Sequence, residues 1–240
     1  MNGLRGARIA VTGAAGGIGA AACAWLVAAG AEVYALDLRP ADEQAGTFVR
    51  TDVTDPASVA AAVESITATA GAVDGLVAGA GIAENDVAAE EMPIETFDRV
   101  LSVNLRGVFL CCQAFGRRML DVGHGRIVVI SSMSGTHIVN MPQRQCAYNA
   151  SKAGVSALVR SLAVEWGPRG VRVNAVAPGY VNTPLNALKV HQHQEWKDRT
   201  VLRRFAEPDE IAAAIGYLLS DEAAFCVGTE LLIDGGYSLW

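Results

Sequence analysis

The sequence Ile9-Ala-Val-Thr-Gly-Ala-Ala-Gly-Gly-Ile-Gly19 joins a short apolar run to an alanine-rich helical pattern that extends to about Ala29. Gly13, Gly17 and Gly19 lie between the two, where missing side chains let backbone amides approach a ligand. Those amides and the positive end of the helix dipole are suited to a pyrophosphate. This strand–turn–helix unit therefore predicts an α/β fold that binds a nucleotide.

Short β-branched runs and longer helical patterns alternate along the rest of the chain. After Ile9–Val11, strands are predicted at 32–37, 47–50, 75–79, 126–131, 171–176 and 231–234. Continuous apolar strands separated by helices are typical of a parallel sheet covered on both faces. The sequence predicts one Rossmann-type, doubly wound α/β domain over residues 1–240, with a seven-stranded parallel sheet and helices on both faces.

Composition and charge exclude several classes of protein. A net charge of −6 without a basic run argues against a nucleic-acid partner and against anionic membranes. Hydrophobic residues make up 51% of the chain, but no apolar run reaches the ~18 residues that a spanning helix requires. The N-terminus lacks signal-peptide features, and the five cysteines show no disulfide or zinc spacing. We expect a soluble, cytoplasmic protein with reduced thiols and no membrane partner.

Asp37 ends the second predicted strand, where an acidic side chain accepts hydrogen bonds from the ribose hydroxyls of a bound adenosine. Its charge would repel a 2′-phosphate, and no basic residue lies among positions 14–16 of the turn. NAD is therefore predicted over NADP, although Arg39 favours the opposite choice. The alternative is that Asp37 is a helix cap or a solvated strand end.

Tyr148-Asn-Ala-Ser-Lys152 opens a helical pattern that ends at Trp166, before Gly167-Pro168. Residues four apart share a helix face, and an ammonium beside a phenol favours the phenolate. Tyr148 is therefore predicted to exchange protons closer to neutrality than a free phenol, which titrates near pH ~10. The alternative is a surface tyrosine above a solvated lysine.

With these motifs in this order, the chain resembles the classical short-chain dehydrogenases/reductases over essentially its whole length. The matching motifs are Thr12-Gly13-x-x-x-Gly17-Ile18-Gly19, Tyr148-x-x-x-Lys152, Pro178-Gly179 and Asp234-Gly235-Gly236. One departure is Ala78-Gly-Ala-Gly81, where the family usually has Asn-Asn-Ala-Gly, so a looser turn is expected. The cofactor-binding residues that the resemblance implies are Gly13, Gly17, Ile18, Gly19, Asp37, Asp52, Val53, Ala80, Gly81, Ile130, Tyr148, Lys152, Pro178, Gly179, Val181 and Thr183.

The resemblance also implies a catalytic set. Ser132 looks like the family's serine that binds the substrate oxygen, with Ser131 and Ser134 as competitors. Tyr148 would be the general acid/base, and Lys152 would lower its pKa and hold the nicotinamide ribose. Asn104 matches the asparagine that steadies a water. The cofactor carries the hydride, and the protein supplies orientation and a proton donor.

The loop between Ser132 and Tyr148 resembles the polyol and sugar-alcohol branch of the family, as does the tail Gly235-Gly-Tyr-Ser-Leu-Trp240. Predicted substrate contacts are Ser132, Ser134, Asn140 and Tyr148; His137, Gln143 and Gln145 are further polar candidates in this loop. The alternative is the polarity that any loop has.

Residues 184–206 are predicted to form a lid over the site, as in the family. Within it, His191 and His193 diverge on a helix and no ligand cluster completes a metal site, so no metal is predicted. The helices around Leu105 and Leu158 carry wide apolar faces, and the resemblance implies that they pair in a homotetramer.

The sequence predicts an NAD-dependent oxidoreductase that interconverts a small-molecule secondary alcohol and a ketone, with a polyol or sugar as substrate. One alternative is an NADPH-dependent 3-oxoacyl or other ketone reductase. The other is a module that senses NAD without turnover.

Overall fold

The computed structural model describes residues 1–140, 142–187 and 189–240. Seven strands form one sheet in the order β3-β2-β1-β4-β5-β6-β7, and every neighbouring pair is parallel. The strands are β1 Arg8–Thr12, β2 Glu32–Asp37, β3 Thr47–Arg50, β4 Gly75–Ala78, β5 Gly125–Ile130, β6 Val171–Pro178 and β7 Glu230–Ile233. The predicted seven-stranded parallel sheet is confirmed.

The strand ends differ from the prediction by one or two residues. β6 continues past Val176 because Ala177 and Pro178 still pair with β7. Gly79 and Ser131 lie just beyond their strands, at the carboxyl edge of the sheet. This edge is where parallel α/β sheets bind their ligands.

The helices are α1 Gly17–Ala28, α2 Pro56–Ala70, α3 Ile94–Leu101, α4 Val108–Val122, α5 Cys146–Trp166, α6 Pro184–Ala187, α7 His193–Arg199 and α8 Pro208–Leu219. Two separate cores show that the sheet is covered on both faces. On one face α1 and α8 pack through residues such as Leu26 and Ile215. On the other, α2, α4 and α5 contribute Val59, Phe115 and Val159. No helix within the described residues combines the length and the apolar character needed to cross a membrane.

A third cluster joins residues 184–206 to the C-terminal tail. Trp196 is wholly buried and stacks on Tyr180 at a centroid distance of 4.1 Å. Tyr237 from the tail packs against the same Tyr180 ring, and the Trp240 indole donates to the carbonyl of Arg199. The tail therefore folds onto its own chain, beside the segment that follows β6.

Candidate active site

Two adjoining hollows lie at the carboxyl ends of the strands, and Gly79 and Gly81 line both of them. One has an empty volume of about 690 Å³, and its walls include Gly13, Asp37, Asp52, Val53, Ala80 and Gly81. The other is a cleft of about 850 Å³, whose walls include Ile18, Gly81, Ile130, Ser132, Ser134, Asn140, Tyr148, Lys152, Pro178, Gly179, Val181 and Thr183. Most of the predicted site residues are thus brought together.

Gly17 and Gly19 line neither hollow, and their role is close packing beneath the turn. A Cβ on Gly19 would lie 2.0 Å from the carbonyl oxygen of Gly13, and one on Gly17 would lie 2.7 Å from Cγ2 of Thr183. Gly13 has a φ of +72°. A cradle that only glycine can build leaves room for a phosphate group against the backbone, so the turn fits a dinucleotide.

The Asp37 carboxylate is fixed at the rim of the first hollow. Its Oδ2 accepts from the Ala15 amide at 3.0 Å, and its Oδ1 accepts from the Leu38 amide at 2.7 Å. Asp52, on the same rim, accepts from the amide and the hydroxyl of Thr54, and these bonds lower its pKa. Both rim carboxylates are thus held in place by backbone donors.

The turn Ala78-Gly-Ala-Gly81 is held without the family's asparagines. The Thr12 hydroxyl accepts from the amides of Gly79 at 3.1 Å and Ala80 at 3.3 Å. A Cβ on Gly79 would lie 2.8 Å from Cδ1 of Ile130, so a larger residue there would have to displace the Ile130 side chain. The expected looseness of this turn is therefore not seen in its hydrogen bonds.

Tyr148, Ser132 and Lys152 meet in the cleft. The Ser132 side chain and the Tyr148 phenol both line the cleft, and Ser132 lies close enough to the phenol to lower its pKa. The Lys152 ammonium donates to the carbonyl of Ile130 at 2.8 Å and lies 5.7 Å from the centroid of the Tyr148 ring. Ser131 points elsewhere, because its hydroxyl lies 2.9 Å from both Ser156 and Glu230. The geometry therefore favours Ser132 over Ser131 as the serine that faces the tyrosine.

Burial dominates the acidity of this pair. It raises the pKa of the Tyr148 phenol, against the lowering effect of the Ser132 side chain, and the Glu84 charge raises it further. Burial also lowers the pKa of Lys152 to about 8. The predicted lowering of the Tyr148 pKa by Lys152 is not reproduced, since the amine donates to the Ile130 carbonyl and desolvation opposes the phenolate.

Asn104 lies in a π-helical turn at residues 102–107, behind the cleft, and is fully buried. Its Oδ1 accepts from the Ile82 amide at 2.8 Å, and its Nδ2 donates to the Ile82 carbonyl at 2.8 Å and to the Ser151 hydroxyl at 3.0 Å. The side chain therefore ties the loop after β4 to α5. Its role toward a water remains a prediction.

Glu84 is a site residue that the sequence does not reveal. It is 2% exposed, and its Oε1 accepts from the amides of Ala147 at 3.0 Å and Tyr148 at 3.1 Å. These bonds cap the first turn of α5, which explains why the helix begins at Cys146, before the predicted start. No local capping pattern exists, because the acceptor comes from a distant part of the chain.

Amide side chains and a tyrosine form one wall of the cleft. The Tyr180 hydroxyl donates to Oε1 of Gln143 at 3.0 Å and accepts from Nδ2 of Asn140 at 3.4 Å. Gln143 in turn donates to Gln145, and all four side chains are buried. Asn140 is a predicted contact, whereas Tyr180 was assigned no role from sequence. Met141 of the same loop lies outside the described residues.

The histidines of the two variable segments do not face the cleft. His137 pairs with Glu230 at 3.1 Å, and His193 bonds to the carbonyl of Asn186 and packs on Trp196. His193 is therefore partly buried, so the interpretation of the histidines in the lid as solvated side chains is wrong for this residue. The described part of the chain holds no group of three His, Cys, Asp or Glu side chains placed to bind a metal.

Comparison with known proteins places these features in a family. The family model described as "Enoyl-(Acyl carrier protein) reductase" matches residues 13–238. Galactitol 2-dehydrogenase (L-tagatose-forming) of Cereibacter sphaeroides is 44% identical over 250 residues, which covers 99% of this chain and 97% of that protein. Cis-4-hydroxycyclohexanecarboxylate dehydrogenase of Sinomonas cyclohexanicum is 44% identical over 240 residues and 95% of each chain.

Among solved structures, a short-chain type dehydrogenase/reductase from Mycobacterium marinum superimposes with a TM-score of 0.93 at 36% identity. The match covers 98% of this chain and 96% of that one. The ordered motifs, the parallel sheet and these similarities agree along almost the full length. The chain therefore belongs to the short-chain dehydrogenase/reductase family of oxidoreductases.

Proposed function

We propose that this protein is an NAD-dependent oxidoreductase that interconverts a secondary alcohol and a ketone, with a polyol, sugar or hydroxylated ring as substrate. The observation that carries the proposal is the meeting of Tyr148, Ser132 and Lys152 in a cleft that adjoins the glycine-turn hollow. A proton donor beside a dinucleotide site is what carbonyl reduction and alcohol oxidation require.

Each side chain has a defined task in this proposal. Ser132 and Tyr148 bind the substrate oxygen, and Tyr148 takes the proton from the alcohol or returns it to the ketone. The Lys152 ammonium donates to the carbonyl of Ile130 and would bind the nicotinamide ribose. Its pKa of about 8 lets it exchange protons near neutrality. A bound nicotinamide would supply the hydride chemistry, held by Ile130, Val181 and Thr183.

The proposed preference for NAD rests on Asp37. Its carboxylate is fixed by two backbone amides where a 2′-phosphate would lie, and Ala14, Ala15 and Gly16 offer no positive charge. The alternative, an NADPH-dependent 3-oxoacyl or other ketone reductase, requires Arg39 to outweigh that carboxylate.

The proposed substrate class rests on the polar wall of the cleft. Asn140, Gln143 and Tyr180 offer donors and acceptors that suit several hydroxyl groups, and the galactitol dehydrogenase relative acts on a polyol. Buried polar groups reject substrates that leave them unpaired, which disfavours a purely aliphatic ketone. The relative that acts on a hydroxycyclohexanecarboxylate widens the test panel to ring alcohols that carry an acid group.

The assembly and location are further parts of the proposal. An open, largely apolar groove is lined by Leu105 of the π-helical turn, Phe109 of α4 and Leu158 of α5, on the two helical segments expected to pair. We expect a homotetramer, which light scattering of the purified chain would reveal, in the cytoplasm. Residues 184–206 are proposed as the lid of a single domain.

The test is a panel of polyols, sugars and hydroxy acids with NAD and NADP, read at the nicotinamide absorbance. We expect NAD to give the higher kcat/KM, and Tyr148→Phe to lower kcat at least 10²-fold while NAD affinity stays within a few fold. Tyr217→Phe, outside the cleft, is the matched control. A higher kcat/KM with NADP would favour the reductase alternative, and NAD binding without turnover of any compound would favour a sensing module.

A further inference from the structure

The cleft wall carries positive charge in a protein that is acidic overall. Among the described residues that line the cleft, the charged ones are Lys152 and Lys189; neither Asp nor Glu is among them. The chain as a whole has a net charge of −6. A cationic, low-dielectric cleft favours an anionic ligand because desolvated walls strengthen the attraction.

The two lysines differ in how they are engaged. The Lys152 ammonium donates to the Ile130 carbonyl. The Lys189 ammonium is shielded from solvent and has no hydrogen-bond partner within the part of the chain that the structure describes. A buried polar cation without a partner is costly, so Lys189 is the cation that a ligand would satisfy.

The carboxylates that act on Lys189 are occupied by other donors. Both oxygens of Glu84 accept from α5 amides, and Asp86 accepts from the backbone and the side chain of Arg144. Burial lowers the pKa of Lys189, whereas the charges of Asp86 and Glu84 raise it and favour the ammonium. Each carboxylate already has an ionic or amide partner and neither forms a hydrogen bond with Lys189 in the described part of the chain. The N–H donors of Lys189 therefore remain available to a ligand in the cleft.

Asn140, which also lines the cleft, supplies a second polar atom without a hydrogen-bond partner. It is 4% exposed, its Nδ2 donates to Tyr180, and its Oδ1 has no partner among the described residues. An acceptor of this kind pairs with a hydroxyl donor. A ligand that pairs with both residues carries an anionic group and a hydroxyl. Among the described lining residues Lys189 has no arginine beside it. A single ammonium balances the one negative charge of a carboxylate, whereas a phosphate group carries about 1.5–2 charges at neutral pH.

We propose that Lys189 binds a carboxylate at the non-reacting end of the substrate, so that the natural substrate is a hydroxy acid. The proposal rests on the proposed alcohol oxidation and deepens it. The carboxylate would accept from Lys189, a hydroxyl would donate to Asn140, and a second hydroxyl would face Ser132 and Tyr148.

The direct test uses ligands that cannot react. Cyclohexanecarboxylate and its neutral match cyclohexanecarboxamide are titrated calorimetrically into the full chain saturated with NADH. We expect the carboxylate to bind about tenfold more tightly than the amide, and Lys189→Met to remove most of that difference. Lys197→Met, which deletes a lysine of α7 that does not line the cleft, is the control and should preserve the ratio. Lys189→Gln serves in the same role if the methionine variant fails to fold.

Turnover gives an independent reading. The ratio of kcat/KM for 4-hydroxycyclohexanecarboxylate to that for its carboxamide should fall by about tenfold in Lys189→Met. Equal binding of acid and amide to the unaltered protein would overturn the carboxylate site and leave alcohol oxidation standing. Inorganic phosphate that competes with cyclohexanecarboxylate more tightly than acetate does would also overturn the carboxylate site. Carboxylate binding that depends on Lys189, without turnover of any alcohol, would support the site and reject the proposed function.

Discussion

Glu84→Ala tests how the start of α5 is held. Ala147 is fully buried and Tyr148 is the proposed proton donor, and the amides of both donate to the Glu84 carboxylate. With alanine at position 84, two amides at the first turn lose their acceptor, and water cannot reach the Ala147 amide. The perturbation therefore acts on the backbone that positions the phenol.

The magnitude follows from the two hydrogen bonds. A bond to a charged acceptor contributes roughly 1.5–3 kcal/mol, and the carboxylate regains its hydration on unfolding, so we expect a net loss of about 2–4 kcal/mol. For a chain of this size each kcal/mol lowers Tm by about 2–4 °C, which gives a decrease of roughly 4–16 °C. Glu84→Gln keeps an oxygen in the position that both amides use, so we expect a loss of only about 1 kcal/mol.

The same pair of variants separates position from charge. A displaced phenol in Glu84→Ala should lower kcat by up to about 10²-fold. In Glu84→Gln the loss of negative charge removes an interaction that raises the pKa of Tyr148. Tyr148 is the proposed base in alcohol oxidation, so the rising limb of kcat/KM against pH should move to lower pH.

Thermal unfolding measures the loss of stability, and pH–rate profiles measure the shift in pKa. Glu90→Ala is the control, because Glu90 is exposed and lies in the same segment between β4 and α3. The reasoning would be refuted by a Tm for Glu84→Ala within about 2 °C of the unaltered protein. It would also be refuted by a pH limb in Glu84→Gln that stays in place or moves to higher pH.

Two further predictions concern the surroundings of the cleft. Glu230→Ala removes the acceptor shared by Ser131, Ser156 and His137, so we expect Tm to fall by about 3–9 °C and KM to rise more than kcat falls. An unchanged Tm and KM would contradict this. Trp196→Ala should lower the free energy of unfolding by about 3–5 kcal/mol, because the indole is wholly buried against Tyr180. Urea denaturation measures it, and a loss below about 1 kcal/mol would be inconsistent with that packing.

Local patterns account for the parts of the fold that sequence predicted. The β2 and β3 strands have the predicted bounds, and α5 ends at Trp166 because Gly167-Pro168 cannot continue the helix. Apolar periodicity, and the glycine and proline residues that end helices and strands, act over a few residues, so both can be recognised without a structure. Helix starts are less visible, since α5 begins under a cap that sequence spacing does not show.

The sequence by itself determined the individual strands, the glycine turn after β1 and the placement of Tyr148 and Lys152 on one helix face, because each depends on residues that are close in the chain. Only the tertiary structure decided which serine faces the phenol, what caps its helix, and that Tyr180 joins the polar wall. These contacts join residues that are far apart in the chain. Their geometry depends on how the strands and helices pack against each other. A contact between two packed elements leaves no pattern in the sequence of either element.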